Sequence, residues 1–329
     1  MSGKSKVVWC DKIWSLVRGC TSVSKGCLLC WAPRMGYRIL CADRARGRNS
    51  TFDGLVSIRQ GGRPCWSGEV RCFPEELSKP LHWRKPSRIF VASMGDLFHP
   101  GVPNEFIASV FGVMAACPQH QFQVLTKRPK RMREWFEWVT YEAPKLATTE
   151  PSLPWWCVLK CWQSATCYNH DFAISKSGRN LAGSHWPLSN VWLGVSIEDQ
   201  ATSDERIPEL LATPAAVRFV SAEPLLSEIR LDDLVTVRRC GEDHRSSLEC
   251  DVDAEDDKWR GACLDWVICG CESGSHARPM HPDWARSLRD QCVAAKVPFF
   301  FKQVMVNGKL VKMPEFDGRV WHQMPEAKP

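Results

Sequence analysis

The sequence predicts an α/β fold built as a partial (β/α) barrel. Short apolar runs recur along the chain, and stretches with helical periodicity lie between them. The runs are rich in Val, Ile and Phe and alternate little, which is typical of strands buried on both faces of a parallel sheet. The predicted strands cover residues 88–92, 122–125, 191–195, 217–220, 266–270 and 298–301. With one more strand expected near the N-terminus, the barrel falls short of the eight strands of a closed one.

Helices are predicted between and after these strands, at residues 103–117, 129–141, 203–211 and 282–295. Three of these stretches begin with a proline, and the stretches at 203–211 and 282–295 carry Asp or Glu near their start, as helix N-termini prefer. Alternating strands and helices imply right-handed βαβ crossovers. Such crossovers build a closed or partly closed barrel.

We expect one domain over residues 1–329, with loop insertions at residues 144–189 and 238–263. The first insertion is rich in Pro, Ser, Thr and Trp, and the second carries a run of acidic side chains. Residues 1–85 make up a basic N-terminal part, since residues 1–90 contain 17 Lys and Arg but only 6 Asp and Glu. A positive field suits DNA or RNA, and a merely solvated basic face is the open alternative.

Composition argues against several classes of protein. No apolar run approaches the roughly 20 residues that a membrane-spanning helix needs, and the first residues lack the apolar segment of a secretory signal. The 17 cysteines of a chain this long, without a signal, are expected to be reduced thiols rather than a disulfide framework. We therefore expect a cytoplasmic protein with no membrane partner.

Three cysteines in one short segment carry the clearest chemical signal. Cys20, Cys27 and Cys30 follow the pattern C-x6-C-x2-C. Three thiolates can hold three irons of a [4Fe–4S] cluster and leave the fourth iron open to a small molecule. The alternative is a zinc site that a distant His or Cys completes.

Polar or ionisable residues follow nearly every predicted strand. The carboxyl ends of parallel strands meet at one mouth of a barrel, so these residues are expected to gather there. These strand ends are residues 93–99, 126–128, 196–199, 221–223, 270–274 and 302–303.

These segments resemble the phage and mobile-element proteins with a three-cysteine motif, which belong to the radical S-adenosylmethionine (SAM) superfamily. The resemblance covers residues 19–30, 88–99, 122–132, 191–206, 217–226, 264–280 and 298–303. It implies a partial barrel of the radical SAM type, SAM as cofactor, and a [4Fe–4S] cluster bound by the three cysteines of the basic N-terminal part. The usual superfamily spacing is C-x3-C-x2-C, so the first interval is three residues longer in this chain.

The resemblance also implies which strand ends bind SAM. Asp96 would accept hydrogen bonds from the amino group of SAM, and Ser196 and Glu198 would approach its ribose or carboxylate. The backbone near Gly270 would pass the adenine. The full set implied is Ser93, Met94, Gly95, Asp96, Ser196, Glu198, Gly270 and Glu272.

Four further strand-end residues are candidates for the chemistry on the substrate: Lys127, Glu223, Cys271 and Lys302. Lys127 and the adjacent Arg128 are expected to contact an anion, and Lys302 to position a substrate phosphate or carboxylate. Family members tend to have glycine at the place of Cys271, so this segment could be locally remodelled, or Cys271 could itself face the substrate. Simpler roles stay open: Asp96 could cap the next helix, Glu223 could belong to a surface turn, and Lys127 and Arg128 could be solvated.

The first insertion contains a second group of possible metal ligands, Cys157, Cys161, Cys167 and His170. Their spacing matches no standard zinc pattern. The same insertion is rich in aromatic residues that could stack on bases or pin the insertion to the barrel. These are Trp155, Trp156, Trp162 and Tyr168.

Together these features predict a radical SAM enzyme that acts on a nucleic-acid base. A specific version is isomerisation of, or carbon–carbon bond formation on, an amino-acid-modified thymine in phage DNA, within the host cytoplasm. The electron donor would be a flavodoxin or a ferredoxin. The alternatives are a radical SAM enzyme acting on a peptide, protein or small metabolite, and a non-catalytic zinc or nucleic-acid-binding module.

Overall fold

A computed structural model of the protein describes residues 7–142, 187–231, 263–274 and 276–326. These residues form a mixed α/β fold around one curled and mostly parallel sheet. Most of the two predicted insertions lies outside the described residues. All the candidate ligands and aromatic residues of the first insertion also lie outside the described residues: Cys157, Cys161, Cys167, His170, Trp155, Trp156, Trp162 and Tyr168.

The elements are numbered in chain order. The strands are β1 (Lys12–Trp14), β2 (Val17–Arg18), β3 (Val56–Ile58), β4 (Pro64–Trp66), β5 (Arg71–Cys72), β6 (Arg88–Val91), β7 (Gln121–Thr126), β8 (Val191–Ile197), β9 (Val217–Ala222), β10 (Trp266–Gly270), β11 (Phe299–Val306), β12 (Lys309–Lys312), β13 (Glu315–Phe316) and β14 (Arg319–Val320). The α-helices are α1 (Trp31–Ala45), α2 (Asn104–Ala115), α3 (Pro129–Glu137), α4 (Gln200–Leu211) and α5 (Pro282–Ala294).

Eight strands form the main sheet, in the order β1-β6-β7-β8-β9-β10-β11-β12. Neighbouring strands run parallel, except that β12 is antiparallel to β11. Strands β6 to β11 are added one after another on the same side, and the twist between neighbours curls the sheet into a half-barrel. The predicted partial barrel is confirmed at this level, whereas β12 was not predicted.

The four predicted helices correspond to α2, α3, α4 and α5. Helix α4 starts earlier than predicted because the side chain of Asp199 caps it, accepting a hydrogen bond from the backbone N–H of Thr202 at 3.0 Å. Helix α3 ends earlier and passes into a wider turn, Trp138–Glu142. Helix α1, directly after Cys30, was not predicted. None of the described helices is both long and apolar enough to cross a membrane.

Side chains alternate between the two faces of the sheet. On the outer face, residues such as Val124, Val195 and Val267 share one core with the helices. On the inner face, a separate cluster of large aromatic residues fills the amino-terminal half of the half-barrel. Its aromatic members are Trp9, Phe90, Trp192, Phe219, Trp266 and Phe300. Because aromatic side chains occupy that half, the polar side chains of the interior gather at the carboxyl edge of the sheet.

Strand β8 shows how the inner face changes toward the carboxyl edge. Trp192 is followed on the same face by Gly194 and Ser196, and then by Glu198 just past the strand. A Cβ atom on Gly194 would lie 2.5 Å from the ring of Phe219, so only glycine fits beneath that ring. The sequence therefore passes from packing residues to polar residues along each strand and places the latter at one edge.

Candidate functional site

The segment with the three cysteines, residues 19–30 (the cysteine loop), lies over the carboxyl edge of the sheet. It begins at Gly19, whose φ of +90° and close approach to the carbonyl of Glu69 leave no room for a side chain. The Gly19 N–H donates to the carbonyl of Met94, just past β6, at 3.1 Å. The loop ends at Cys30, which immediately precedes α1. Both ends of the cysteine loop are thereby fixed.

Cys20, Cys27 and Cys30 line one cavity of about 220 Å³, the cysteine cavity. Its wall also contains basic residues, an indole and a further thiol: Arg34, Arg59, Arg63, Cys65, Trp66 and His276. No Asp or Glu occurs among its described lining residues. The three predicted ligands are thus brought together, in surroundings of positive charge.

Arg128, just past β7, connects the first cysteine with a buried carboxylate. Its Nη1 donates to Oδ2 of Asp96 at 2.9 Å and lies 3.6 Å from Sγ of Cys20. Its Nη2 donates to the carbonyl and hydroxyl oxygens of Thr21 at 2.9 and 2.8 Å. The guanidinium is 8 % exposed, so these contacts are made with little competition from water. Arg128 therefore positions Cys20 and Thr21 together.

The carboxylate of Asp96 accepts several hydrogen bonds from other residues of the chain. Besides Arg128, it accepts hydrogen bonds from the hydroxyl of Thr126 at 2.8 and 3.0 Å and from the backbone N–H of Lys127 at 3.2 Å. The N–H of Phe98 also donates to it at 3.0 Å, which is a turn-capping contact. Asp96 thus holds Arg128 beside the cysteine loop, while its predicted contact with the amino group of SAM stays a prediction.

Two of the cysteine thiols are held in their neutral form. Burial is the main cause that raises the pKa of Cys20 to about 11; Asp96 adds to the effect and Arg128 opposes it. Burial likewise raises the pKa of Cys30. The charge of Cys27 is a smaller cause that raises the pKa of both thiols in the same direction. Binding of a metal by these thiols would therefore have to displace their protons.

Glu198 anchors the middle of the cysteine loop. It is 1 % exposed and pairs with Lys127 and with Nη1 of Arg206, the latter at 3.2 Å. It also accepts a hydrogen bond from Oγ of Ser24 at 3.0 Å. A Cβ atom on Gly26 would lie 2.5 Å from the Glu198 carboxylate, so the loop backbone rests directly on this side chain. The structure thus brings the predicted residues Glu198 and Lys127 together, next to the cysteine loop.

Glu272, after β10, anchors the loop from the opposite side of the half-barrel. It forms an ion pair with Arg278 at 2.6 Å, and Nη2 of Arg278 donates to the carbonyl of Lys25 at 3.1 Å. Nearby, Nη2 of Arg34 donates to the carbonyl of Ser273 at 3.1 Å. Strand ends on both sides therefore fix the same loop, as expected for a mouth formed at the carboxyl edge.

Glu223 and Lys302 form a separate pair on the inner face. Nζ of Lys302 lies 2.9 and 3.0 Å from the two carboxylate oxygens of Glu223, and Oγ of Ser221 donates to Glu223 at 3.1 Å. A Cβ atom on Gly270 would lie 2.6 Å from Oε1 of Glu223, so glycine makes room for this pair. Glu223 is therefore part of an interior ion pair, and the surface-turn alternative does not describe it.

Cys271 is buried and is not among the residues that line the cysteine cavity. Burial is the main cause that raises the pKa of its thiol to about 11. Its carbonyl accepts a hydrogen bond from the side chain of Gln303 at 2.9 Å, and its N–H donates to the carbonyl of Gln303 at 3.1 Å. The structure thus places Cys271 in the packing between β10 and β11.

The remaining predicted SAM residues lie at the ends of β6 and β8. Oγ of Ser93 lies 3.3 Å from Oγ of Ser15, and Met94 is buried. A Cβ atom on Gly95 would lie 2.8 Å from the carbonyl of Val17, which brings this turn against β2. Ser196 is buried, and its carbonyl accepts from Arg206 at 2.7 Å. All of them lie at the carboxyl edge, where they were expected.

Several residues that position the loop were not predicted: Thr21, Ser24, Gly26, Arg206 and Arg278. Three of them fall inside the long first interval of the cysteine motif. The unusual length of that interval was the signal that could have indicated them, because its residues contact Arg128 after β7 and Glu198 after β8. Arg278 carries no comparable signal, since its partners Glu272 and Lys25 are brought near it only by the fold.

Within the described ranges, no group of three or more His, Cys, Asp or Glu side chains is arranged to hold a metal ion. Three sulfurs that bind one zinc ion stand roughly 3.8 Å apart, given Zn–S bonds of about 2.3 Å in a tetrahedron. In an iron–sulfur cluster each thiolate binds a different iron, so the sulfurs are spread more widely. A zinc site and an iron–sulfur cluster therefore require different spacings of the three sulfurs.

His99 makes the stability of this region depend on pH. Its Nδ1 accepts from the N–H of Gly101 at 3.0 Å, so the neutral ring donates through Nε2 to Thr21 Oγ1 at 2.9 Å. Burial, and next the charge of Arg128, lower the pKa of His99 below its ordinary 6.5, whereas Asp96 raises it. The unfolded chain therefore takes up this proton first as the pH falls.

We expect this stabilisation to be fully present above about pH 6.5 and to be lost as the pH falls through the lower, folded-state pKa. Thermal unfolding at a series of pH values, of wild type and of His99→Asn, measures it. The variant should lose less of its melting temperature on acidification than wild type, and the exposed His322→Asn should behave as wild type. Equal acid sensitivity of wild type and His99→Asn would contradict the assignment.

Comparison with known proteins gives a family without an assigned activity. A family model described as a protein of unknown function (DUF5131) matches residues 4–325. No curated protein and no solved structure matches the chain. The match extends over the half-barrel, the cysteine loop and both insertions.

Proposed function

We propose that this chain, which belongs to the DUF5131 family, is a radical SAM enzyme that acts on a nucleic-acid base. The observation that carries the proposal is the placement of Cys20, Cys27 and Cys30 around one cavity at the carboxyl edge of a half-barrel. A [4Fe–4S] cluster on these three thiolates, with SAM bound, would supply methionine and a 5′-deoxyadenosyl radical that abstracts a hydrogen atom from the substrate, after an electron arrives from a flavodoxin or ferredoxin.

The residues around the cavity fit this assignment. Arg128 donates toward Cys20, and hydrogen bonds to ligand sulfurs are one means by which a protein tunes a cluster. The residues proposed for SAM lie at the same edge: Ser93, Met94, Gly95, Asp96, Ser196, Glu198, Gly270 and Glu272. The pair of Lys302 and Glu223 lies on the inner face, where it would bind or orient a polar group of the substrate.

A nucleic acid is the substrate class that the charge of the cavity supports best. The described wall contains Arg34, Arg59, Arg63 and His276 and no carboxylate. Such a field attracts phosphates. Within this class we propose isomerisation of, or carbon–carbon bond formation on, an amino-acid-modified thymine in phage DNA, because hydrogen abstraction reaches C–H bonds that acid–base chemistry does not activate.

One observation favours a second candidate, a non-catalytic zinc and nucleic-acid-binding module. Cys65 and His276 line the same cavity as the three cysteines, and either of them would supply the fourth ligand of a structural zinc site. The two candidates differ in metal content and in the residue that each needs as a fourth ligand.

Anaerobic reconstitution with iron and sulfide tests the proposal. We expect a brown protein with about 4 irons per chain that converts SAM to 5′-deoxyadenosine when dithionite is present. Nucleoside mass spectrometry of modified phage DNA incubated with this protein then identifies the product. A colourless protein that retains about one zinc would contradict the enzyme assignment. SAM cleavage without salt-sensitive DNA binding would instead indicate a peptide or metabolite substrate.

A further inference from the structure

We propose that the hairpin of β3 and β4 is a phosphate-binding arm and that Trp66 on it stacks with an unpaired base of a DNA strand. The inference deepens the proposed function and rests on it, since it names the residues that bring a base to the cysteine cavity. It draws on three features of the described chain: the charge of the hairpin tip, the support of the indole, and the position of both on the cavity wall.

The tip of the hairpin presents two arginines. The backbone N–H of Arg59 donates to the carbonyl of Arg63 at 2.9 Å, which closes a tight turn. Gly61 and Gly62 occupy that turn with φ of +91° and +79°, a conformation that glycine adopts readily. Both arginines are exposed and line the cysteine cavity. The turn thus brings the side chains of Arg59 and Arg63 close together at the cavity.

These two arginines differ from others in the same region. Arg44, Arg48 and Arg71 form ion pairs with Asp53, Asp43 and Glu69 at 2.7, 2.8 and 3.2 Å. Neither Arg59 nor Arg63 forms an ion pair with a carboxylate in the described part of the chain. Their charge is therefore directed to the cavity and to solvent, where a phosphate can accept hydrogen bonds from both guanidinium groups.

Trp66 supplies a flat, supported surface at the base of the arm. Its indole stacks on the ring of Phe52, with centroids 6.4 Å apart and planes 17° from parallel. Phe52 is buried, and Trp66 is partly exposed and lines the cysteine cavity. An aromatic ring that is supported from below and lies beside a cavity offers a stacking surface, and little conformational entropy is lost when a base binds to it.

The spacing along β4 suits one nucleic-acid strand. Arg63 directly precedes β4 and lies three residues from Trp66, about 10 Å in extended chain, and both residues line the cysteine cavity. A base stacked on the indole and a phosphate of the same strand at the turn can therefore be bound at once. A base inside a duplex cannot reach the indole without being flipped out, so the arm fits a single-stranded or flipped substrate.

Arg34 extends the positive surface to another part of the cavity wall, which His276 also lines. The guanidinium of Arg34 packs on the backbone of Gly274, which has a φ of +117°, and is fixed there by its hydrogen bond to Ser273. His276 is exposed and follows directly on this segment. A strand bound along the hairpin would therefore meet further positive charge as it passes the cysteines.

The test is binding of a fluorescein-labelled oligothymidine of about 16 nucleotides to the reconstituted protein, without SAM, measured by fluorescence anisotropy. The variants are Arg59→Ala with Arg63→Ala, and Trp66→Leu. The matched control is Arg84→Ala with Lys85→Ala, which removes the same charge just ahead of β6, at the opposite edge of the sheet. Iron content is measured for each variant, to establish that the cavity is intact.

We expect the double arginine variant to bind about tenfold more weakly at low salt, and the slope of log K against log salt to fall by about 1.4, the contribution of two phosphate contacts on a single strand. Trp66→Leu should also bind about tenfold more weakly, with an unchanged salt slope, since it removes stacking and not charge. The control should retain the affinity of wild type.

Three results would overturn the inference: an arginine variant no weaker than the control, a Trp66→Leu variant with unchanged affinity, or displacement of the DNA by oligoglutamate as effectively as by unlabelled DNA. SAM cleavage by wild type is measured in parallel. If wild type cleaves SAM but does not bind DNA, the arm is wrong and the cluster assignment stands. If the arm binds DNA but the protein holds no cluster, the proposed chemistry is wrong.

Discussion

Cys20→Ser, Cys27→Ser and Cys30→Ser are each expected to remove the brown chromophore of the reconstituted protein and to reduce SAM cleavage by more than about 100-fold. The reason is that three thiolates are the minimum that holds a cluster with one open iron. A serine hydroxyl does not replace a thiolate as a ligand. Iron content, the visible spectrum and formation of 5′-deoxyadenosine measure the effect for each variant. Cys20 is the ligand to replace first, because the longer first interval concerns it directly.

Cys65→Ser is the matched control, because Cys65 lines the same cavity and its Sγ lies 3.2 Å from the hydroxyl of Ser57. A [4Fe–4S] cluster with three ligands should form normally in this variant. Loss of metal in Cys65→Ser, or in His276→Ala, would instead identify a fourth ligand and favour the zinc site. Full SAM cleavage by Cys20→Ser would exclude Cys20 as a ligand and overturn the proposed motif.

Glu198→Gln is expected to lower the free energy of unfolding by about 3 to 5 kcal/mol, the usual cost when one partner of a buried ion pair is removed. The amide would leave Lys127 and the buried Arg206 without a neutralising charge. It would also weaken the contact that supports Ser24 and Gly26 in the cysteine loop. Urea unfolding followed by circular dichroism measures the change.

The control for this prediction is Glu205→Gln, on the exposed side of α4, which should stay within about 0.5 kcal/mol of wild type. If Glu198→Gln unfolds at the same urea concentration as Glu205→Gln, the pairs of Glu198 with Lys127 and Arg206 do not stabilise the fold. The cysteine loop would then depend mainly on Arg128 and Arg278 for its position.

Much of the fold could be predicted because its signals are local. Strands β6 to β11 are short apolar runs, and burial on both faces makes such runs recognisable in the sequence. Helix α1 was missed because it follows the cysteine motif directly, starts without a capping hydrogen bond and has a mixed composition. The turn into β12 did have a signal, Asn307-Gly308, and both residues have the positive φ that such hairpin turns require.

The sequence by itself determined the chemical inventory of the site and the edge at which it gathers. The cysteine spacing is a property of the sequence itself, and the polar residues directly after each buried run gather at one edge because parallel strands end on the same side of a sheet. Only the tertiary structure decided the partners: Arg128 with Cys20 and Asp96, Lys127 with Glu198, Lys302 with Glu223. It also decided that Arg59 and Arg63 line the same cavity as the three cysteines. Such pairings join residues tens to more than a hundred positions apart, so they depend on the register and curl of the whole sheet and not on any local pattern.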